Sequence, residues 1–166
     1  MNYAQIRKFD VSNGPGVRTS LFVSGCTHDC AGCFNRQYKD FTYGSRWSKE
    51  VEDDFFEHLK NPNLRGVTIL GGEPLDQIHD NDLLRLLQRI NQETRLNVWL
   101  YSGYTYEEIL LHPLRRALIE WVDVLVDGRF EIKQKDLRLR FRGSSNQRII
   151  DIQASLHGDE LIELAI

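Results

Sequence analysis

Val17 to Phe34 reads VRTSLFVSGCTHDCAGCF. Its first seven residues form a short stretch rich in β-branched and aromatic residues, stopped by Ser24 and Gly25, which is the pattern of a strand. Three cysteines follow at once. The same order of strand and then glycine-stopped turn recurs along the chain. Gly66–Leu70 (GVTIL) runs into Gly71 and Gly72, Leu96–Tyr101 (LNVWLY) into Ser102 and Gly103, and Trp121–Val126 (WVDVLV) into Asp127 and Gly128. Amphipathic stretches lie between these runs. Ser48 is placed to cap a helix with Val51, Phe55 and Leu59 on one face, and Asp80 to cap another with Leu83, Leu87 and Ile90. Thr105 and Glu108 have capping-box spacing, and Pro113 is expected to end or kink the short helix that follows them.

Strand–helix repetition predicts crossover connections and a mainly parallel sheet. A complete eight-unit barrel takes about 250 residues, and this chain has 166. The expected fold class is therefore α/β, a mainly parallel open sheet or a shortened partial (β/α) barrel of four to six strands, in one domain over residues 1–166. Ligands of such sheets sit outside the carboxyl ends of the strands. The cysteine loop, Gly71–Pro74 and Ser102–Tyr104 should thus converge on one rim. Asn13–Gly16 (NGPG) reads as a tight turn or as a loop near the mouth of that site.

Composition narrows the classes. Apolar residues make up 41% and charged residues 27%, with a net charge of −3, which is enough for a core and far from the signature of disorder. No apolar run reaches the roughly 18 residues of a membrane span. The start, MNYAQIRKFD, lacks the apolar stretch of a signal peptide, so the expected location is the cytoplasm. In that reducing setting metal binding is the natural use of clustered cysteines.

Cys26, Cys30 and Cys33 are the only cysteines. Spaced four and three apart on one loop, they can hold three corners of a cubane cluster, which usually takes four Cys. One iron would then stay open to an outside ligand, as catalytic metal sites keep a position open. A zinc site is the competing reading. It would need His28, whose reach from inside the loop around the same ion is awkward, or one of the scattered His58, His79, His112 and His157.

With these residues in view, CTHDCAGCF resembles the three-cysteine motif, followed by an aromatic residue, of the radical S-adenosylmethionine (SAM) superfamily. NGPGVRTSLFVSG (13–25) looks like the start of the glycyl-radical activases in that superfamily, and GGEP (71–74) is similar to its second signature. WLYSGY (99–104), VLVDGRF (124–130) and RGSSNQR (142–148) resemble the branch that activates anaerobic ribonucleotide reductase. The resemblance runs from Asn2 to about Asp151; the last fifteen residues match nothing and are expected to form a structural or interaction tail. It implies a [4Fe-4S] cluster on Cys26, Cys30 and Cys33, with SAM chelating the fourth iron. It implies reductive cleavage of SAM to a 5′-deoxyadenosyl radical that abstracts hydrogen from a glycine of the reductase large subunit. Gly32, Cys33, Phe34, Gly71, Gly72, Glu73, Pro74 and Ser102 are the implied SAM-site residues, with no protein catalytic group beyond the cluster. Glu73 or a backbone carbonyl beside it would receive the SAM ammonium group, and reduced flavodoxin is the usual electron donor. The alternatives are a radical SAM enzyme acting on a small molecule and a non-catalytic zinc or iron–sulfur interaction module.

One stretch is charged against the trend. Gly128–Ile150 carries seven Lys or Arg against Glu131 and Asp136, a local +5 beside −8 for the remainder. A solvated face would suffice to explain it. The sharper expectation is a surface that docks an acidic partner, the reductase, through Arg142, Gly143, Ser144, Ser145, Asn146 and Gln147. No nucleic acid is expected, because no aromatic residues alternate with these cations as in single-strand binders.

Overall fold

The computed structural model describes residues 1–166. Its strands and helices run in the order β1 (Asn2–Asp10), β2 (Arg18–Val23), β3 (Ser45–Arg46), α1 (Lys49–Leu59), β4 (Gly66–Gly71), α2 (Asp82–Glu93), β5 (Asn97–Tyr101), α3 (Tyr106–Leu110), α4 (Pro113–Ile119), β6 (Val124–Asp127), β7 (Arg148–Asp151) and α5 (Ile152–His157). All seven strands join one open sheet in the order β3-β1-β2-β4-β5-β6-β7. The centre, β2 to β6, is parallel, and the pairings of β1 with β2, β1 with β3, and β6 with β7 are antiparallel.

The parallel strands are the ones legible as apolar runs. In β2 every residue is buried, and Val67, Ile69, Val98, Leu100, Leu125 and Val126 are fully so. A strand covered on both faces has no polar side to show, so it reads as a continuous run rather than an alternation. The count of four to six strands is corrected to seven. β1 and β7 lie on the antiparallel flanks, and β1 exposes Arg7, Lys8 and Phe9, whereas the charged residues of the parallel strands, Arg18 at the start of β2 and Asp127 at the end of β6, are buried. The run over Trp121–Val126 also starts later than expected, at Val124. Asp123 is in a turn, where its backbone N–H donates to the Val98 carbonyl (3.0 Å) and its carboxylate accepts from the Val98 N–H (2.7 Å).

One face of the sheet meets the helices in a single core of 25 buried residues. Phe55, Phe56 and Leu59 come from α1, Leu83, Leu86, Leu87 and Ile90 from α2, Ile109 from α3, and Leu118 and Ile119 from α4. The caps explain where these helices start. The Ser48 hydroxyl accepts from the Val51 N–H (3.2 Å), and Thr105 with Glu108 forms a complete capping box. One expectation is corrected and one extended. Asn81, not Asp80, is the N-cap of α2; Asp80 accepts from the Asp82 N–H and, with Asp82, binds the Met1 amino group at 2.5 and 2.6 Å. Pro113 does not merely stop α3 but occupies the first turn of α4, where its missing N–H costs nothing. No helix is long and apolar enough to cross a membrane.

The other face is covered differently, with Tyr38 of a one-turn helix (Arg36–Lys39) packed on it. It carries two small clusters, Phe22, Tyr38 and Leu70, and Trp99, Val124, Val126 and Ile149. The chain between β6 and β7 crosses this face, with Phe141 edge-on to Trp99 at 5.6 Å and accepting a hydrogen bond from the Tyr101 hydroxyl at 2.6 Å. The tail is structural. After α5 it returns beside β7, where the Asp151 N–H donates to Ile162 O (2.9 Å) and the Leu164 N–H to Ile149 O (2.7 Å).

Candidate functional site

Parallel pairing puts the carboxyl ends of β2, β4, β5 and β6 side by side, so the turns that follow them must share one rim. Cys26, Cys30, Cys33, Phe34, Gly71, Gly72, Glu73, Ser102, Gly103, Arg129 and Phe130 line a single cavity of about 470 Å³ there. Arg142, Gly143 and Gln147 close its side, and Ser12 and Asn13 also line it, so the NGPG segment is a turn that borders the site. The remaining expected residues lie outside the wall. Gly32, at φ +74°, faces the Ile132 side chain. Pro74 is buried at the start of a one-turn helix. Ser144 is buried, Ser145 points to solvent, and the Asn146 amide donates to Arg129 O (2.8 Å).

The Gly-Gly pair serves the joint between two loops. A Cβ on Gly72 would lie 2.5 Å from Gly25 O and 2.7 Å from Tyr38 O, and one on Gly71 2.6 Å from Val23 O. The backbone after β4 thus packs directly on the backbone that starts the cysteine loop, and the Glu73 N–H donates to Gly25 O at 2.8 Å. Only glycine permits that approach.

Glu73 is almost fully buried and its carboxylate is saturated. Oε1 accepts from the Leu75 N–H (2.9 Å) and the Ser102 hydroxyl (2.9 Å); Oε2 accepts from the Gly103 N–H (2.7 Å) and from His28 Nε2 (2.9 Å). A carboxylate offers about four such positions, and here four protein donors fill them. Arg129 Nε donates to His28 Nδ1 at 3.1 Å. Because that nitrogen must accept, His28 carries its proton on Nε2 and gives it to Glu73. His28 is therefore turned away from a metal-ligand role and ties the cysteine loop to the turns after β4 and β6.

A second set of contacts anchors the same loop. Asp76 Oδ2 accepts from both the N–H and the hydroxyl of Thr27 at 2.8 Å; Oδ1 accepts from the Tyr104 hydroxyl (2.7 Å) and Arg115 Nη2 (3.3 Å). Thr27, His28, Asp76, Tyr104, Arg115 and Arg129 are the positioning residues that sequence reasoning missed. No local pattern announces them, since Thr27 and Asp76 are 49 residues apart and Arg129 and His28 101.

All three cysteines are free thiols. Burial pushes the Cys26 thiol up to about 12, against a smaller opposing pull from the His28 N–H aimed at its sulfur. Burial also raises Cys30, helped by Cys33 and opposed by Arg129 and the Phe130 N–H. Bound iron would reverse this preference, because metal ligation requires the thiolate. The donor set suits a cubane cluster. The three thiols share one loop and one cavity wall, and a cubane offers each thiolate its own iron. The two N–H groups directed at sulfur are of the kind that tunes cluster potential. The cavity wall also holds Arg142, whose Nε is a buried donor with no acceptor in the protein.

Comparison with known proteins agrees with this chemistry. Residues 12–150 match the model of a family described as a 4Fe-4S single cluster domain. An anaerobic ribonucleoside-triphosphate reductase-activating protein of Vibrio cholerae is 42% identical over 152 residues, covering 90% of this chain and 97% of that protein. The proteins of the same name from Escherichia coli K12 (39% over 150 residues, 89% and 96%) and from phage T4 (33% over 150 residues, 90% and 93%) are similar over the same extent. With identity at this level along nearly the whole length, and three thiols gathered where the iron–sulfur family model falls, the chain belongs to the family of anaerobic ribonucleoside-triphosphate reductase-activating proteins.

Proposed function

We propose that this chain activates anaerobic ribonucleotide reductase as a radical SAM enzyme of shortened partial-barrel type. The observation that carries the reading is the meeting of Cys26, Cys30 and Cys33 with Gly71, Gly72 and Ser102 around one cavity, with no fourth cysteine in the chain. Cys26, Cys30 and Cys33 would hold a [4Fe-4S] cluster, which leaves one iron for SAM. When bound, that pair of cofactors supplies an electron-driven cleavage of SAM to methionine and a 5′-deoxyadenosyl radical, able to take a hydrogen atom from a glycine of the reductase. The electron donor is of the reduced flavodoxin class.

The protein's own share is orientation and exclusion of water. Cys33 and Phe34 would border SAM on the cysteine side, and Gly71, Gly72, Glu73 and Ser102 on the other, while Gly32 and Pro74, outside the cavity wall, would shape the two turns that carry them. Since the Glu73 carboxylate is occupied by four donors, it acts by fixing His28, Ser102 and Gly103, and the SAM ammonium group is left to backbone carbonyls of this rim. Phe34, about two-thirds exposed, sits against Phe130 with ring centroids 5.0 Å apart and forms an apolar lip. Arg142, Gly143, Ser145, Asn146 and Gln147 would contact the reductase from the cavity's side, with the buried Ser144 holding the loop between them. The buried Arg142 Nε is a donor for a backbone carbonyl of the entering glycine segment.

The test is anaerobic reconstitution with iron and sulfide, then addition of SAM, reductant and the reductase. Formation of 5′-deoxyadenosine and a glycyl radical signal on the reductase are expected. Reconstituted protein that leaves SAM intact would sink the proposal.

A further inference from the structure

The cysteine loop has little structure of its own. Among Thr27–Gly32 the only backbone–backbone hydrogen bond is the one from the Cys33 N–H to Cys30 O. The loop must therefore be shaped by side chains from elsewhere, and Asp76 is the most committed of them. Its carboxylate is 4% exposed, a costly place for a charge unless donors surround it. Two of its four donors belong to Thr27. The other two, Tyr104 and Arg115, hold Asp76 still: Arg115 also donates to Tyr104 Oη (2.8 Å) and Leu75 O (3.2 Å), and its guanidinium lies 3.8 Å from the Tyr104 ring centroid. The Tyr104 ring lies against His28 at 4.4 Å. The clamp thus joins the turns after β4 and β5, helix α4 and the cysteine loop. Asp76 itself does not line the cavity, so it cannot touch what binds there.

We propose that Asp76, braced by Arg115 and Tyr104, is a positioning residue that sets the cysteine loop in its ligand-presenting shape before any metal arrives. The use of that shape rests on the reading of the cysteines as cluster ligands; the setting of it does not. A preset loop loses its conformational entropy on folding rather than on metal uptake, which is the general advantage of preorganised ligands.

Amide hydrogen exchange on the full-length protein before iron loading reads the loop directly. In Asp76→Ala, exchange over Thr27–Cys33 is expected to rise by roughly tenfold or more, the scale of losing hydrogen bonds to a charged group, while β4 and β5 keep their protection. Thr27→Val retains the N–H bond and loses the hydroxyl bond, so a smaller rise confined to the same loop is expected. It also carries the test if Asp76→Ala does not fold. After anaerobic loading with ferrous iron and sulfide, Asp76→Ala should release iron to a chelator roughly tenfold faster than the parent, with all three thiols intact. Unchanged exchange in the loop, or a rise spread evenly over the sheet, would overturn the proposal. A parent that takes up no iron while the variant loop still loosens would support the positioning role and refute the cluster reading.

Discussion

Two loops face the same cavity and are built on opposite principles. The cysteine loop after β2 draws its buried side-chain fixed points from residues 45 or more positions away, Glu73, Asp76 and Arg129, and adds exposed or backbone ones from Lys39, which pairs with Asp29 and accepts from the Cys26 N–H. The loop between β6 and β7 mostly binds itself. Gln147 Oε1 accepts from the N–H groups of Gly143 (2.9 Å) and Ser144 (3.1 Å), and its amide donates to Gly128 O (3.1 Å). The Ser145 N–H donates to Gln134 O (2.9 Å) and Arg142 Nη1 to Gln147 O (2.7 Å). A loop fixed from outside can exist only once the sheet has formed, and it inherits the sheet's precision. A loop fixed from within can vary its outward side chains without disturbing its neighbour, which suits contact with a partner.

The largest effect that bears on this contrast is loss of a thiol. On the proposed reading Cys30→Ala removes a cluster ligand and, of the contacts that hold the loop, only the one from the Phe130 N–H, so the fold should persist by circular dichroism while the reconstituted iron content and SAM cleavage collapse. Undiminished SAM cleavage would end the cluster reading. Next comes a pair of glycine substitutions, one at each loop. Gly72→Ala sets a methyl group against two backbone carbonyls that cannot turn away. Overpacking of this kind costs about 1–3 kcal/mol, and iron content should fall with the melting temperature. Gly143→Ala meets the Phe130 ring at 3.1 and 3.3 Å, which can give by a few tenths of an ångström, and Gln147 Oε1 at an ordinary 3.7 Å. Near-parental stability and full iron content are expected there, and equal losses at both sites would erase the distinction between the loops.

The same contrast explains what could be read from sequence. The parallel strands and the convergence of their turns were legible because burial on both faces leaves continuous apolar runs. The capping box of Thr105 and Glu108 was legible because capping is local. Chemistry-bearing residues announce themselves by type and spacing, as Cys26, Cys30 and Cys33 do. Asp76 and Arg115 do neither: each is an ordinary charged residue whose meaning arises only when Thr27 and Tyr104 are brought to it. β1 escaped notice because its outer residues are charged, and β7 because four residues in a basic stretch carry no period. RGSSNQ invited a contact role for all its members, whereas Ser144, Asn146 and Gln147 spend much of their polarity on their own loop.

Gln147→Ala tests that last point at moderate size. It deletes four hydrogen bonds inside the β6–β7 loop, the longest of them 3.5 Å from the Ser144 hydroxyl, and a typical one is worth about 0.5–1.5 kcal/mol net. Reductase activation should fall several-fold, while cluster content and SAM cleavage without the reductase stay at the parental level. A drop in cluster content would mean that the two loops are not independent.

The smallest expected effect lies on the outer side of the same loop. Lys133, Lys135 and Arg140 are exposed and have no carboxylate within ion-pair distance, in contrast with Arg138, which is paired with Asp136 at 2.9 Å. They stand beside Ile132 and Leu137, which are 52% and 86% exposed, so cationic and apolar groups share one surface. Exposed charges of this kind act chiefly on the rate of encounter and are screened over roughly 8–10 Å at physiological salt. The double variant Lys133→Glu/Lys135→Glu should therefore associate with the reductase a few-fold more slowly at low ionic strength, and the gap should close as salt is raised. Surface plasmon resonance across a salt series reads both. Cluster content stays untouched, because neither lysine lines the cavity. A salt-independent loss would instead assign these lysines to direct, desolvated contacts, and no change at any salt would move the docking surface off this loop.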